Sequence, residues 1–103
     1  ELLARALGAP LVAPPQIVDV GPRWVIAELT DGDAVAAVAA DLALLADYDR
    51  RHRTTGLTIF GMGSDGPIVR SFAPADGIAE DPVCGSGNGA VAAYRLAAGQ
   101  VGE

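Results

Sequence analysis

The sequence predicts an α+β domain, and three observations carry that expectation. Short runs rich in β-branched and aromatic residues recur at Gln16–Val20, Arg23–Leu29, Leu57–Phe60 and Gly66–Phe72, each bounded by Gly, Pro, Asp or Thr turn residues. Between the second and third of these lies a longer alanine- and leucine-rich stretch with helical spacing. A second helix-forming run, Val91-Ala-Ala-Tyr-Arg-Leu-Ala-Ala98, directly follows a glycine-rich turn.

At 103 residues the chain is one small domain, long enough for a core but not for two. It opens at Glu1 within a helical pattern and stops at Gln100–Glu103 where another strand would begin, so it reads as a piece of a longer protein. A net charge of −6 argues against a nucleic-acid partner, whose phosphates need a basic surface. All seven basic residues are arginine, and only Arg50-Arg51-His52-Arg53 clusters; it reads as a solvated loop after a helix. The single cysteine excludes an internal disulfide. No apolar run reaches the roughly 20 residues of a membrane span. A cytoplasmic protein without membrane or nucleic-acid partners is the expectation.

Taken in order, Leu2, Leu3, Ala6 and Leu7 make a short apolar helix that Gly8 can end. Pro10, Pro14 and Pro15 then impose a loop. Gly21-Pro22 joins the first two strands as an antiparallel hairpin. Alternation puts Trp24, Ile26 and Glu28 on one face and Val25, Ala27 and Leu29 on the other, with Trp24 read as a core or rim residue. Thr30-Asp-Gly-Asp33 supplies N-cap oxygens, and Val35, Val38, Leu42 and Leu45 give the next helix an apolar face. Asp41 can cap a second segment after a break. His52 stands in a charged patch with no positioned partner, so it does not read as a catalytic base. Gly61-Met-Gly-Ser-Asp-Gly66 reads as a hairpin loop; it lacks the Lys-Ser/Thr ending and following helix of a phosphate loop.

The chemistry concentrates in Glu80-Asp-Pro-Val-Cys-Gly-Ser-Gly-Asn-Gly-Ala90, preceded by the loop Ala73–Ile78. Gly85, Gly87 and Gly89 allow a ligand to approach bare backbone. A helix starting near Ser86–Asn88 presents first-turn N–H groups without intrahelical partners, and its dipole favours an anion there. Ser86 adds a hydroxyl. Pro82 biases Asp81 towards an extended conformation at the lip of that site, where burial would raise its pKa for acid/base work. Cys84 has two readings: a small buried hydrophobe, or a thiol whose pKa the helix N-terminus lowers. Glu80 and Asp81 can equally serve only the helix dipole. A dinucleotide fold is disfavoured because no strand runs straight into the glycines, and a cysteine hydrolase lacks its base.

Arg70-Ser-Phe-Ala-Pro74, Gly77-Ile-Ala-Glu-Asp-Pro-Val-Cys-Gly-Ser-Gly87 and Ala93-Tyr94 together resemble the second-domain signature of the PhzF-like (phenazine-biosynthesis isomerase) family. Gly21-Pro-Arg-Trp24, Asp41-Leu42 and Thr55-Gly56 fit the same pattern. The resemblance implies a half of a diaminopimelate-epimerase-like fold: a curved antiparallel or mixed sheet wrapped around a central helix, here Gly87–Ala98. It implies that residues 1–103 are most of the C-terminal domain of a two-domain protein, with the active site in the cleft shared with an N-terminal domain. The family's known reaction is a cofactor-free isomerisation by proton transfer on a dihydro-hydroxyanthranilate. A glutamate of the other domain moves the proton, and the roles of orienting and binding the substrate fall on Asp81 and Ser86, with the backbone of Gly85 and Gly87.

Cys84 departs from the phenazine enzyme, which has no thiol there, and matches the cysteine before Gly-Ser-Gly that acts as an acid/base in related epimerases and proline racemases. The Glu-Arg pair of those epimerases has no counterpart, because Ala75-Asp76 stands in its place. The expectation is therefore a cofactor- and metal-independent isomerase or epimerase of a small carboxylate, homodimeric as the full-length protein and inactive as this segment alone. The rival is a non-catalytic module that holds an anion or a partner on the glycine turn.

Overall fold

The computed structural model describes residues 2–64, 66–81 and 85–97. Its elements are α1 (Leu2–Leu7), β1 (Gln16–Asp19), β2 (Arg23–Glu28), α2 (Gly32–Ala37), α3 (Leu42–His52), β3 (Gly56–Gly63), β4 (Gly66–Ala73), a 3₁₀ turn (Pro74–Asp76), β5 (Ile78–Asp81) and α4 (Gly85–Ala97). The five strands form one sheet in chain order, β1-β2-β3-β4-β5. Neighbours are antiparallel except β2 and β3, which run parallel, so the sheet is mixed. A parallel pair cannot be joined by a tight turn, and α2 and α3 supply the crossover.

The sheet is covered on both faces. Val25, Ala27, Leu29, Leu57, Ile59 and Phe72 pack against Leu3, Leu7, Val35, Val38 and Leu45 from α1, the α2–α3 region and α3. On the opposite face Trp24, Ile26, Phe60 and Ala73 pack against Ala90, Val91 and Tyr94 of α4. The alternation read along Arg23–Leu29 is thus realised, and apart from the half-buried Glu28 both sets are buried because each face has its own helical layer. Trp24, 3% exposed, is a core residue of the α4 layer.

Local chemistry sets the helix ends. Gly8 takes φ +68 after α1, the left-handed conformation that suits a terminating glycine. Asp31 caps α2 by accepting the Ala34 N–H at 2.9 Å, and Asp41 caps α3 through the Leu44 N–H at 3.1 Å. The chain therefore breaks between Ala37 and Leu42, as Asp41 suggests. That break shifts the apolar phase: Val35, Val38 and Leu45 are buried, whereas Leu42, expected on the same face, is 37% exposed.

Two further expectations are corrected. Arg50, Arg51 and His52 form the last turn of α3 rather than a loop, with Arg53 as a left-handed C-cap at φ 56. Arg51 pairs with Asp47 at 3.1 Å, and Asp49 is anchored by the Thr54 hydroxyl at 2.7 Å. Second, Gly61, Met62 and Gly63 are not a loop. They continue β3 opposite Ile68, Pro67 and Gly66. Gly61 is a close-approach glycine: a Cβ there would collide with the backbone of Asp31. Gly66, at φ +125, holds a conformation that side chains disfavour, as the end of a hairpin turn requires.

Two substitutions test this packing in the intact protein. Leu45→Ala is expected to lower unfolding free energy by about 2–5 kcal/mol through cavity formation. Gly61→Ala is expected to lower it by about 1–3 kcal/mol by forcing β3 away from Asp31. Denaturant titration reads both, and an effect below about 0.5 kcal/mol, the size of an ordinary surface substitution, would contradict the packing.

Candidate functional site

The segment singled out by its chemistry runs along the β4–β5 edge and into α4. Arg70 organises it. From β4 its guanidinium forks onto Glu80 of β5, Nε to Oε2 at 2.9 Å and Nη2 to Oε1 at 2.9 Å. Its Nη1 simultaneously donates to the carbonyls of Val35 at 2.8 Å and Val38 at 2.9 Å, where α2 ends. The guanidinium carbon lies 5.2 Å from the centre of the Phe72 ring. Arginine is suited to this task because its donors form a rigid planar fork, which a lysine ammonium cannot reproduce. The hydrogen bond from Arg70 holds the Glu80 carboxyl below its ordinary range, against a smaller opposing effect of desolvation. The same bond raises the Arg70 pKa.

This pairing accompanies a strand that begins at Ile78, which the sequence reading made the end of a loop, and reaches Asp81, which it read as extended. Ile78–Asp81 forms β5, joined to β4 by the Ser71–Asp81 and Ala73–Ile78 pairings with an irregularity between them. Gly77, at φ 84, turns the chain out of the 3₁₀ segment and into this strand. A strand thus does approach the glycines, but it is a short antiparallel edge strand, unlike the parallel strand of a dinucleotide fold.

Asp81 is the last residue of β5 and the register partner of Ser71. Ser71 is buried, and its hydroxyl lies 2.9 Å from the buried hydroxyl of Thr58 on β3. Gly85, Ser86 and Gly87 are the first three residues of α4, so the helix starts one residue earlier than the range read from the sequence. Cys84 lies outside the described residues, with Pro82 and Val83. Ala98 does too, so α4 is described as far as Ala97. Along the chain, three residues separate the end of β5 from the first turn of the 13-residue helix α4.

Farther along α4, Ala90, Val91 and Tyr94 seat the helix on the sheet. Tyr94 packs edge-on to Phe60, ring centres 5.5 Å apart. Burial, with a contribution from the Glu28 charge, pushes its phenol above the ordinary value of 10.0. His52 is no partner for this region. It is exposed on α3, its ring centre 4.2 Å from that of Tyr48 and tilted to it, and α3 covers the sheet face opposite α4. The Gly61–Gly66 hairpin borders a cleft of about 350 Å³ lined also by Asp31 and Asp33, an acidic surround that does not suit an anion. Sequence reasoning missed Glu80 as the partner of Arg70 and the Thr58–Ser71 hydroxyl pair. The only signal for the first was an arginine and a glutamate ten residues apart in two motif segments.

Two pH responses follow. Because the folded-state pKa of Glu80 is lowered, its contribution to stability is present above its ordinary value of 4.5 and is lost as pH falls through the depressed folded value. Glu80→Gln should flatten the acid limb of stability against pH, measured by denaturant titration from neutrality downwards. For Tyr94 the raised pKa favours the neutral phenol, so stability declines as pH rises above 10.0. Absorbance at the tyrosinate band should show one tyrosine titrating late, and Tyr94→Phe should remove it.

Among the described residues, no helix is long and apolar enough to cross a membrane. A sequence model of the family described as "Phenazine biosynthesis-like protein" matches residues 2–103. Two fission-yeast (Schizosaccharomyces pombe) proteins are similar. "Antisense-enhancing sequence 1" is 39% identical over 96 residues, 87% of this chain and 32% of that protein. A protein named as an uncharacterized isomerase is 40% identical over 81 residues, 78% of this chain and 44% of that protein. The chain thus spans less than half the length of either relative. Among solved structures, a phenazine biosynthesis protein of the PhzF family from Enterococcus faecalis superposes with a TM-score of 0.79 at 25% identity, covering 96% of this chain and 36% of that one. A mixed sheet with helices on both faces and a motif-bearing strand–helix junction accords with that likeness, and the chain belongs to the phenazine biosynthesis-like (PhzF) protein family.

Proposed function

We propose that this chain forms most of the C-terminal half of a two-domain, cofactor-independent isomerase or epimerase that moves a proton on a small carboxylate. The carrying observation is the junction of β5 with the first turn of α4, where Asp81 and Gly85-Ser86-Gly87 fall within seven residues. The similarity to a fission-yeast protein named as an isomerase supports the reaction class.

In this reading the first-turn N–H groups of Gly85 and Gly87 and the Ser86 hydroxyl bind the substrate carboxylate, which the helix dipole favours. Holding the carboxylate there stabilises the extra charge that develops when a neighbouring C–H loses its proton. A base in the other domain takes that proton, the bond's electron pair moves into the adjacent unsaturated system, and a proton is delivered at the new carbon. Asp81 orients the substrate or relays the proton, and Cys84 is a further acid/base group. The cleft is completed by the partner domain, so this segment alone is inactive. The working protein is a cytoplasmic homodimer.

The test is incubation of the full-length protein with a panel of small unsaturated and α-substituted carboxylic acids in deuterated water. Carbon-bound deuterium is expected in at least one acid. Asp81→Asn should lower its rate roughly 10²–10⁴-fold, the usual share of a positioned acid or base. Ser86→Ala should mainly weaken substrate binding. Saturable carboxylate binding without exchange would instead identify a binding module, and full exchange by folded Asp81→Asn would remove Asp81 from the mechanism.

A further inference from the structure

We infer that the Arg70–Glu80 pair is a positioning clamp for the proposed site, fixing the end of β5 and therefore the residue that follows Glu80, Asp81; the inference rests on the reading of Asp81 given above. Four observations carry it. β5 is only four residues long and, among the described residues, pairs as a strand with β4 alone. Its pairing with β4 is irregular between Ser71 and Ala73, so the ladder is locally disrupted just where Ser71 pairs with Asp81. Arg70 and Glu80 meet through two parallel 2.9 Å bonds, a geometry that sets orientation as well as distance. The same guanidinium is itself held by the Val35 and Val38 carbonyls, so β5 is referenced to the α2–α3 break and not merely to its neighbouring strand.

Stability alone accounts poorly for such a pair. Its side chains are 22% and 40% exposed, a range in which solvent screens much of the attraction. An open cleft of about 160 Å³, walled by Val38, Leu42, Phe72 and the pair itself, leaves it accessible to water. What the pair supplies is position. A shift of about 1 Å at a catalytic group can cost roughly 10²-fold in rate, so a loosened β5 should affect turnover more than folding. Glu80 and Arg70 are in this sense positioning residues.

The experiment compares Arg70→Lys, Glu80→Gln and the double variant in the full-length protein, with Arg51→Lys in the exposed Arg51–Asp47 pair as control. Three readings are taken: deuterium incorporation into the acid that the wild type exchanges, its KM, and backbone amide exchange of the peptide spanning Ile78–Asp81. The clamp predicts a fall of about 10–100-fold in kcat with KM changed less than about threefold. It also predicts faster amide exchange confined to that peptide, and a double variant no worse than the worse single one. Arg51→Lys should change none of these. A lowered melting temperature with kcat of the folded protein unchanged, or amide exchange raised equally across β2 and β3, would overturn the clamp as a purely structural pair. Asp81→Asn separates the two claims. Full exchange by that variant removes Asp81 from the mechanism, and none by the wild type overturns the function, and either result takes the clamp with it; loss of exchange by Asp81→Asn with normal kcat in Arg70→Lys overturns the clamp alone.

Discussion

A single guanidinium ties three separate parts of the chain together. Arg70 sits on β4, donates to the Val35 and Val38 carbonyls where α2 ends, and forks onto Glu80 of β5. A short helix needs partners for its last carbonyls, and an edge strand needs something besides one ladder to hold it. Arginine meets both needs at once because its donors point in fixed, divergent directions. The Phe72 ring lies beneath the guanidinium, 5.2 Å from its central carbon. The segment that carries Asp81 and leads into α4 therefore depends on a residue in the motif before it.

The two apolar layers do different work. The layer beneath α1 and α3 holds the scaffold: Leu3, Leu7, Val35, Leu45 and Ile59 are each at most 2% exposed. The layer beneath α4 seats the helix whose first turn bears Gly85-Ser86-Gly87. Ala90 lets α4 approach the sheet closely, and Tyr94 against Phe60 fixes its far end. Trp24 belongs to this second layer, which is why an aromatic ring that could have been a ligand platform is buried instead.

Much of this could be read in the chain. The caps at Asp31 and Asp41 were legible because a carboxylate before an alanine-rich run has few other uses at that spacing. The two faces of Arg23–Leu29 were legible because period-two alternation depends on nothing outside the strand. Leu42 and Gly61-Met-Gly63 were misread for a common reason. Leu42 fits the apolar period only if the helix is continuous, and glycine signals a turn only if nothing packs against it. The helix break that Asp41 caps decided the first case, and the crossing backbone of Asp31, a contact between residues far apart in sequence, decided the second. The clustering of candidate site residues at Glu80–Ala90 was visible, whereas the pairing of Glu80 with Arg70 was not.

The sequence by itself determined the α+β class, the family motif and the helix that follows the glycines, since local propensity, capping and residue spacing are properties of contiguous chain. Only the tertiary structure decided that β2 and β3 run parallel, that Ile78–Asp81 is a strand, and that Arg70 spans from α2 to β5. Each of these depends on groups far apart in sequence meeting in space. Register at a sheet edge is set by whatever restrains it from outside the ladder, and here that restraint is an ion pair whose partners stand ten residues apart.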